Sequence, residues 1–127
     1  MNGWIEFDRR AAPVSTEAFV TLQKKGMLSL NKAAMNLLGN AKTVTLLYNQ
    51  ESNQIGIRPC RQDNQRAYPV RLQGSGSTHL IAGQAFTKFF GIETGVARRY
   101  KAETVVDMLI VDLNQDAPVV TGPRSRD

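Results

Sequence analysis

Val20-Thr21-Leu22-Gln23-Lys24-Lys25-Gly26 and Val70-Arg71-Leu72-Gln73-Gly74-Ser75-Gly76 are the two stretches whose likeness decides the fold. Each pairs a β-branched and apolar run with a Gly-containing turn, and each leads to a second short run that ends at Leu30 or at Leu80–Ile81. A short helix is predicted next in both: Lys32 to Gly39, and Gln84 to Gly91. Ala34, Leu37 and Leu38 in the first, and Phe86, Phe89 and Phe90 in the second, have the spacing of a buried helical stripe. Asn31 is a ready N-cap, and Gly39 and Gly91 stand where a helix end favours positive φ. Strands return at Thr43–Tyr48 and Ile55–Pro59 around a polar turn. In the second stretch they are expected at Val96–Tyr100 and Met108–Leu113, with a turn near Ala102–Glu103. The offset is 50 from Val20 to Val70 and 52 from Gly39 to Gly91, which a two-residue insertion in the second loop explains.

The unit is strand, strand, short helix, hairpin, used twice over about residues 18–59 and 68–113. One such unit is too small to bury its own apolar faces, and two together can close a shared barrel. The expected fold is therefore mostly β with short helices, a single pseudo-symmetric barrel over residues 1–113. Residues 60–67 form a polar linker, residues 1–17 are looser, and 114–127 read as a mobile tail.

The 127-residue chain is 42% hydrophobic and 21% charged, which places it with globular domains and not with disordered chains. Sixteen Lys plus Arg against eleven Asp plus Glu give a net charge of +5, a balance that favours anionic partners such as nucleic acid. Cys60 is the single cysteine, so neither an internal disulfide nor a cysteine-based zinc site can form, and a reducing cytoplasm is the compartment that fits. Met1–Phe7 lacks the basic start and apolar run of a signal peptide, and no apolar run nears the roughly 18 residues of a membrane span.

The first stretch resembles the swapped-hairpin DNA-binding domains of the AbrB and MazE type. Val20 through Lys32 follows their strand, Gly-centred turn, strand and helix start without gaps, Leu38-Gly39 falls at the matching distance, and the hairpin Val44–Tyr48 with Ile55–Pro59 completes the likeness. The second stretch is similar more loosely. Two positions depart from the pattern: Asn31 stands where the family usually has Pro, and Met35 where a helix Arg is common. In that family two chains interleave into one DNA-binding, cradle-loop barrel. The resemblance implies that here one chain supplies the whole barrel, as in MraZ-type regulators, which also resemble tandem versions of the unit.

Phosphate neutralisation dominates the affinity of a DNA-binding protein. The candidate cations are Lys24 and Lys25 on the first turn, Lys32 at the helix start, and a second group of Arg71, Arg98, Arg99 and Lys101. Arg58, Arg61 and Arg66 flank the linker. Gln23, Asn31 and Gln73 are candidate base readers. The plainer alternative for each cation is a solvated charge that guards a strand edge. Gly74-Ser75-Gly76-Ser77 is a flexible turn or a backbone phosphate cradle, with no Lys-Ser or Lys-Thr after it as in a P-loop. His79 is the only histidine and has no companion ligands at metal spacing, no nucleophile elbow precedes it, and Asp107 and Asp112 fall on opposite faces of an extended strand. No catalytic residues, metal or cofactor are therefore expected.

The expected function is DNA binding by a transcriptional regulator, with a homodimer matching a symmetric operator. A protein-interaction or antitoxin-like scaffold module is the alternative. A single-strand nucleic-acid binder that stacks bases on Tyr48, Tyr68 or Tyr100 is a further one.

Overall fold

The structure is a computed structural model that describes Gly3, residues 17–74 and residues 76–120. The expected looseness of residues 1–2 and 4–16, the end of the tail at 121–127 and Ser75 of the second turn lie outside the described residues. The elements in chain order are β1 (Phe19–Leu22), a 3₁₀ turn (Lys24–Gly26), β2 (Leu28–Leu30), α1 (Lys32–Leu37), β3 (Thr43–Asn49) and β4 (Gln54–Pro59). They continue with β5 (Tyr68–Pro69), β6 (Arg71–Leu72), β7 (His79–Ile81), α2 (Gln84–Phe89), β8 (Arg98–Val105) and β9 (Met108–Asp112).

All strand pairs are antiparallel, in the order β5-β3-β4-β9-β8-β1-β2-β7-β6. The strands at the two ends of that order are separated in the chain by Val70 alone, whose N–H donates to the Lys42 carbonyl at 2.9 Å. One bent segment, Tyr68–Leu72, thus pairs with β3 through its first half and with β7 through its second. It brings the sheet nearly to closure as a barrel, the mostly-β fold with short helices that the sequence leads one to expect. Closure removes the open edges that a flat sheet would present.

Strand alternation fills the interior. Val20 and Leu22 of β1, Ile55 and Ile57 of β4, and Leu109 and Val111 of β9 are buried, with Leu28, Leu30, Val44 and Ile81 beside them. Each such side chain contributes about 1.5–3 kcal/mol on leaving water. Both helices last six residues. Gly39 (φ +66°) and Gly91 (φ +64°) end them in the left-handed region. The helical stripe is corrected at one position in each helix. Leu37 is 47% exposed and Phe89 is 80% exposed, while Met35 takes the buried place beside Ala34 and Leu38. A helix of barely two turns has too little neighbouring surface to bury both residues of an adjacent apolar pair.

The second hairpin also differs from expectation. No turn falls near Ala102–Glu103; the strand runs on to Val105 and turns at Val106–Asp107. The reason is that β8 serves two partners. Arg98–Lys101 pairs with β1, and Ala102–Val105 pairs with β9. Residues 114–120, expected in the mobile tail, instead run back along β8. Ala117 is buried, Arg99 N–H donates to the Pro118 carbonyl at 3.0 Å, and the Gln115 amide bonds both the N–H and the carbonyl of Lys101 at 3.0 Å. No helix among the described residues is long and apolar enough to cross a membrane.

Candidate nucleic-acid interface

The outer face of β8, β1, β2, β7 and β6 gathers the basic residues into a pattern. Because Val20 and Leu22 point inward, Thr21 points outward. Thr21 pairs with Arg99 on one side and Ser29 on the other; Ser29 pairs with Leu80, and Leu80 with Arg71. One rung, Arg99–Thr21–Ser29–Leu80–Arg71, therefore crosses five strands. Four inter-strand steps set its two arginines roughly 19 Å apart along the curved sheet.

The Arg99 guanidinium lies over the Phe19 ring, 4.4 Å from its centroid. Beside it opens a small pocket of about 120 Å³, lined by Phe19, Thr21, Ser29, Asn31, Thr78 and Arg99 among others. Ser29 is buried although polar.

The other candidates distribute toward the two ends of β1. Past Leu22, the 3₁₀ turn carries Lys24 and Lys25, both exposed, with Lys25 in the left-handed region at φ +73°. Gln23 closes that turn through its backbone, donating to Met27 and accepting from Gly26. Gly26 (φ +98°) is seated on α2, where an added Cβ would collide with the Thr87 hydroxyl and lie 3.0 Å from Gln84 Cα. The turn is thereby fixed against the helix that also bears exposed Lys88.

At the Phe19 end stand Lys32, exposed at the start of α1, and Lys101, whose Nζ is 3.4 Å from the Glu17 carboxylate. Asn31 is occupied within the fold. Its Oδ1 accepts from Ala34 N–H at 2.9 Å and Phe19 N–H at 3.0 Å, and its Nδ2 donates to the Glu17 carbonyl at 2.9 Å. Gln73 is exposed beside Arg71.

Arg98 stands apart. It faces away from Arg99 on the alternating strand, and its Nη1 donates to the Ala117 carbonyl at 2.9 Å. Burial raises the pKa of the neighbouring Tyr100 phenol above its ordinary value, and the Arg98 guanidinium pulls it partly back.

So Arg71 and Arg99 share a rung, Lys24 and Lys25 share a turn, Lys32 and Lys101 share an end, and Arg98 belongs to none of these. Sequence reasoning missed Phe19, Thr21, Ser29 and Thr78. The one signal for them was a serine between Leu28 and Leu30 in an otherwise apolar strand. A second, larger cleft of about 520 Å³ is lined by Leu47, Tyr48, Phe90, Met108 and Ile110 and by polar residues including Gln50 and Glu51, with no Lys or Arg on it among the described residues. Among the described residues, no three His, Cys, Asp or Glu stand together as a metal site would need. No protein-family model, curated protein or solved structure matches the chain.

Proposed function

We propose that the protein binds duplex DNA and acts as a transcriptional regulator. The observation that carries this reading is the rung whose ends are Arg71 and Arg99, on the face that also bears Lys101, in a chain of net charge +5. Exposed cations on one sheet face neutralise phosphates, while the turn at Lys24–Gly26 supplies a compact projection toward a groove. Gln23 and Gln73 are the side chains available to base edges; Asn31 serves the fold first.

A salt titration tests the reading. Duplex affinity should fall steeply as salt rises. Lys24→Ala with Lys25→Ala should weaken it and reduce the logarithmic salt slope by about 1 for each phosphate no longer neutralised. Absence of any duplex complex at low salt overturns the reading. Tighter binding to single strands, abolished by tyrosine replacement, would put the single-strand reading in its place.

One observation favours a protein-interaction module as the second reading. Phe89 is 80% exposed and packs edge-on against Phe90 at 4.9 Å, and Phe90 lines the larger, mixed apolar and polar cleft. Exposed aromatic side chains of this kind are common anchors of protein interfaces. Association with a partner that is indifferent to salt would favour it.

A further inference from the structure

The small pocket beside Arg99 has a chemistry of its own. Ser29 retains 8% of its accessible surface, so it is more than nine-tenths buried, yet among the described residues its hydroxyl has no hydrogen-bond partner. The hydroxyls of Thr21 and Thr78, on the same lining, are likewise without a partner among the described residues. A buried hydroxyl left unpaired costs about 1–3 kcal/mol. Ser29 is the buried one of the three, and with the half-buried Thr21 and Thr78 on the same lining it marks a place where a ligand completes the hydrogen bonding.

The ligand's charge and size follow from the lining. Among the described residues, Arg99 is the only charged side chain on the lining, and no Asp or Glu lines it. Glu17 is engaged with Lys101 and is not part of the lining. The face of the Phe19 ring holds the guanidinium at the rim without consuming its N–H donors. Hydroxyl and guanidinium donors around a hollow suit an oxyanion. The volume of about 120 Å³ equals about four waters at roughly 30 Å³ each. That admits one tetrahedral group and falls far below the roughly 300 Å³ at which pockets begin to hold whole small molecules.

We infer that this pocket is a seat for a single phosphate group, bound by the hydroxyls of Thr21, Ser29 and Thr78 and by the Arg99 guanidinium. Free phosphate and a phosphodiester of nucleic acid present the same oxygens to it. Only the second source rests on the duplex reading. On that reading the seat fixes one backbone phosphate at the Arg99 end of the rung and so sets the register of the protein on the duplex.

The test is an amide and arginine side-chain NMR titration of the full chain with inorganic phosphate, against chloride at matched ionic strength, followed by the same titration with a random-sequence duplex. Saturable shifts are expected at Thr21, Ser29, Thr78 and Arg99 Nε with phosphate and not with chloride. Ser29→Ala and the rim variant Thr21→Val should each weaken phosphate binding about 10–150-fold, the loss expected from one hydrogen bond to a charged group. Thr21→Val keeps the test sound even if Ser29→Ala disturbs the strand. In the duplex arm, both hydroxyl variants should weaken binding with an unchanged salt slope, whereas Arg99→Ala should lower the slope by about 1.

Phosphate shifts that fail to saturate, that chloride reproduces, or that survive both hydroxyl variants overturn the seat. Duplex binding that leaves these signals unmoved overturns it as a nucleic-acid contact while the duplex reading stands. Saturable phosphate binding without duplex binding upholds the seat and removes the duplex reading.

Discussion

Arg99 and Phe19 sit on neighbouring strands, two residues out of register, with the guanidinium 4.4 Å from the ring centre. That diagonal is within reach of long and aromatic side chains across an antiparallel pair. At a partly exposed site the attraction is worth about 0.5–1 kcal/mol. Phe19→Leu should therefore cost about that much beyond its change in buried area. In a double-mutant cycle with Arg99→Ala, urea unfolding should report a coupling of about 0.5–1 kcal/mol. A coupling of zero would mean that the ring does not hold the guanidinium, and the pre-organised rim of the phosphate pocket would lose its physical basis.

Asn31 joins three chain segments, and its replacement should be costly. Besides capping α1, its side chain binds Phe19 N–H and the Glu17 carbonyl, and its own N–H donates to the Phe19 carbonyl at 3.2 Å. Loss of an N-cap costs about 1 kcal/mol, and an amide left without its acceptor adds about 1–3 kcal/mol. Asn31→Ala should thus lower unfolding free energy by about 2–4 kcal/mol. Asn31→Pro should cost more still, because proline also lacks the N–H. Chemical denaturation of the two variants decides this. A neutral Asn31→Pro would show that the junction between β1 and α1 does not depend on these bonds.

Much of this fold is legible from residue types. The buried alternation of Ile55 and Ile57, the cap at Asn31 and the helix ends at Gly39 and Gly91 all follow from local chemistry. What escapes is long-range pairing. Nothing between Arg98 and Val105 announces that the strand changes partner at Ala102. Nor does Val70 announce the bend that lets Tyr68–Leu72 bridge β3 and β7. The same limit applies to the candidate site. Arg71 and Arg99 are conspicuous as cations, but their common rung depends on the register of Ser29 against Leu80, and a slip of one residue would send every side chain on the strand to the other face.

Tyr100 makes stability sensitive to alkaline pH. Its buried phenol has a pKa above the ordinary 10.0 in the folded state. Below the unfolded value both states keep the proton and the contribution is fully present. As pH rises from there toward the folded value, only the unfolded chain releases the proton, so unfolding is favoured; above the folded value there is no further change. Unfolding free energy should therefore decline above about pH 10 in the wild type, and Tyr100→Phe should flatten that decline. Urea midpoints on both proteins across that range give the answer. Identical pH profiles would show that the phenol ionises equally well in both states.

Among the described residues, Val106 is the β-branched one held at positive φ. It occupies the first position of the two-residue turn between β8 and β9, with φ +58° and 94% of its surface exposed. A β-branched residue in the left-handed region carries about 1–2 kcal/mol of steric cost, and its exposed side chain gains little burial in return. A two-residue hairpin with positive φ at its first position ordinarily has Gly, Asn or Asp there. Glycine loses more chain entropy on folding, about 0.5–1 kcal/mol, which offsets part of the gain. Val106→Gly should therefore raise unfolding free energy by up to about 1 kcal/mol. Val106→Asn, which tolerates positive φ with less entropy loss, should do at least as well. Because the hairpin tip lies outside the Arg99–Arg71 rung, phosphate and duplex affinity should stay at the wild-type level in both variants. A fall in urea midpoint for both would show that the valine side chain contributes more than its exposed position implies.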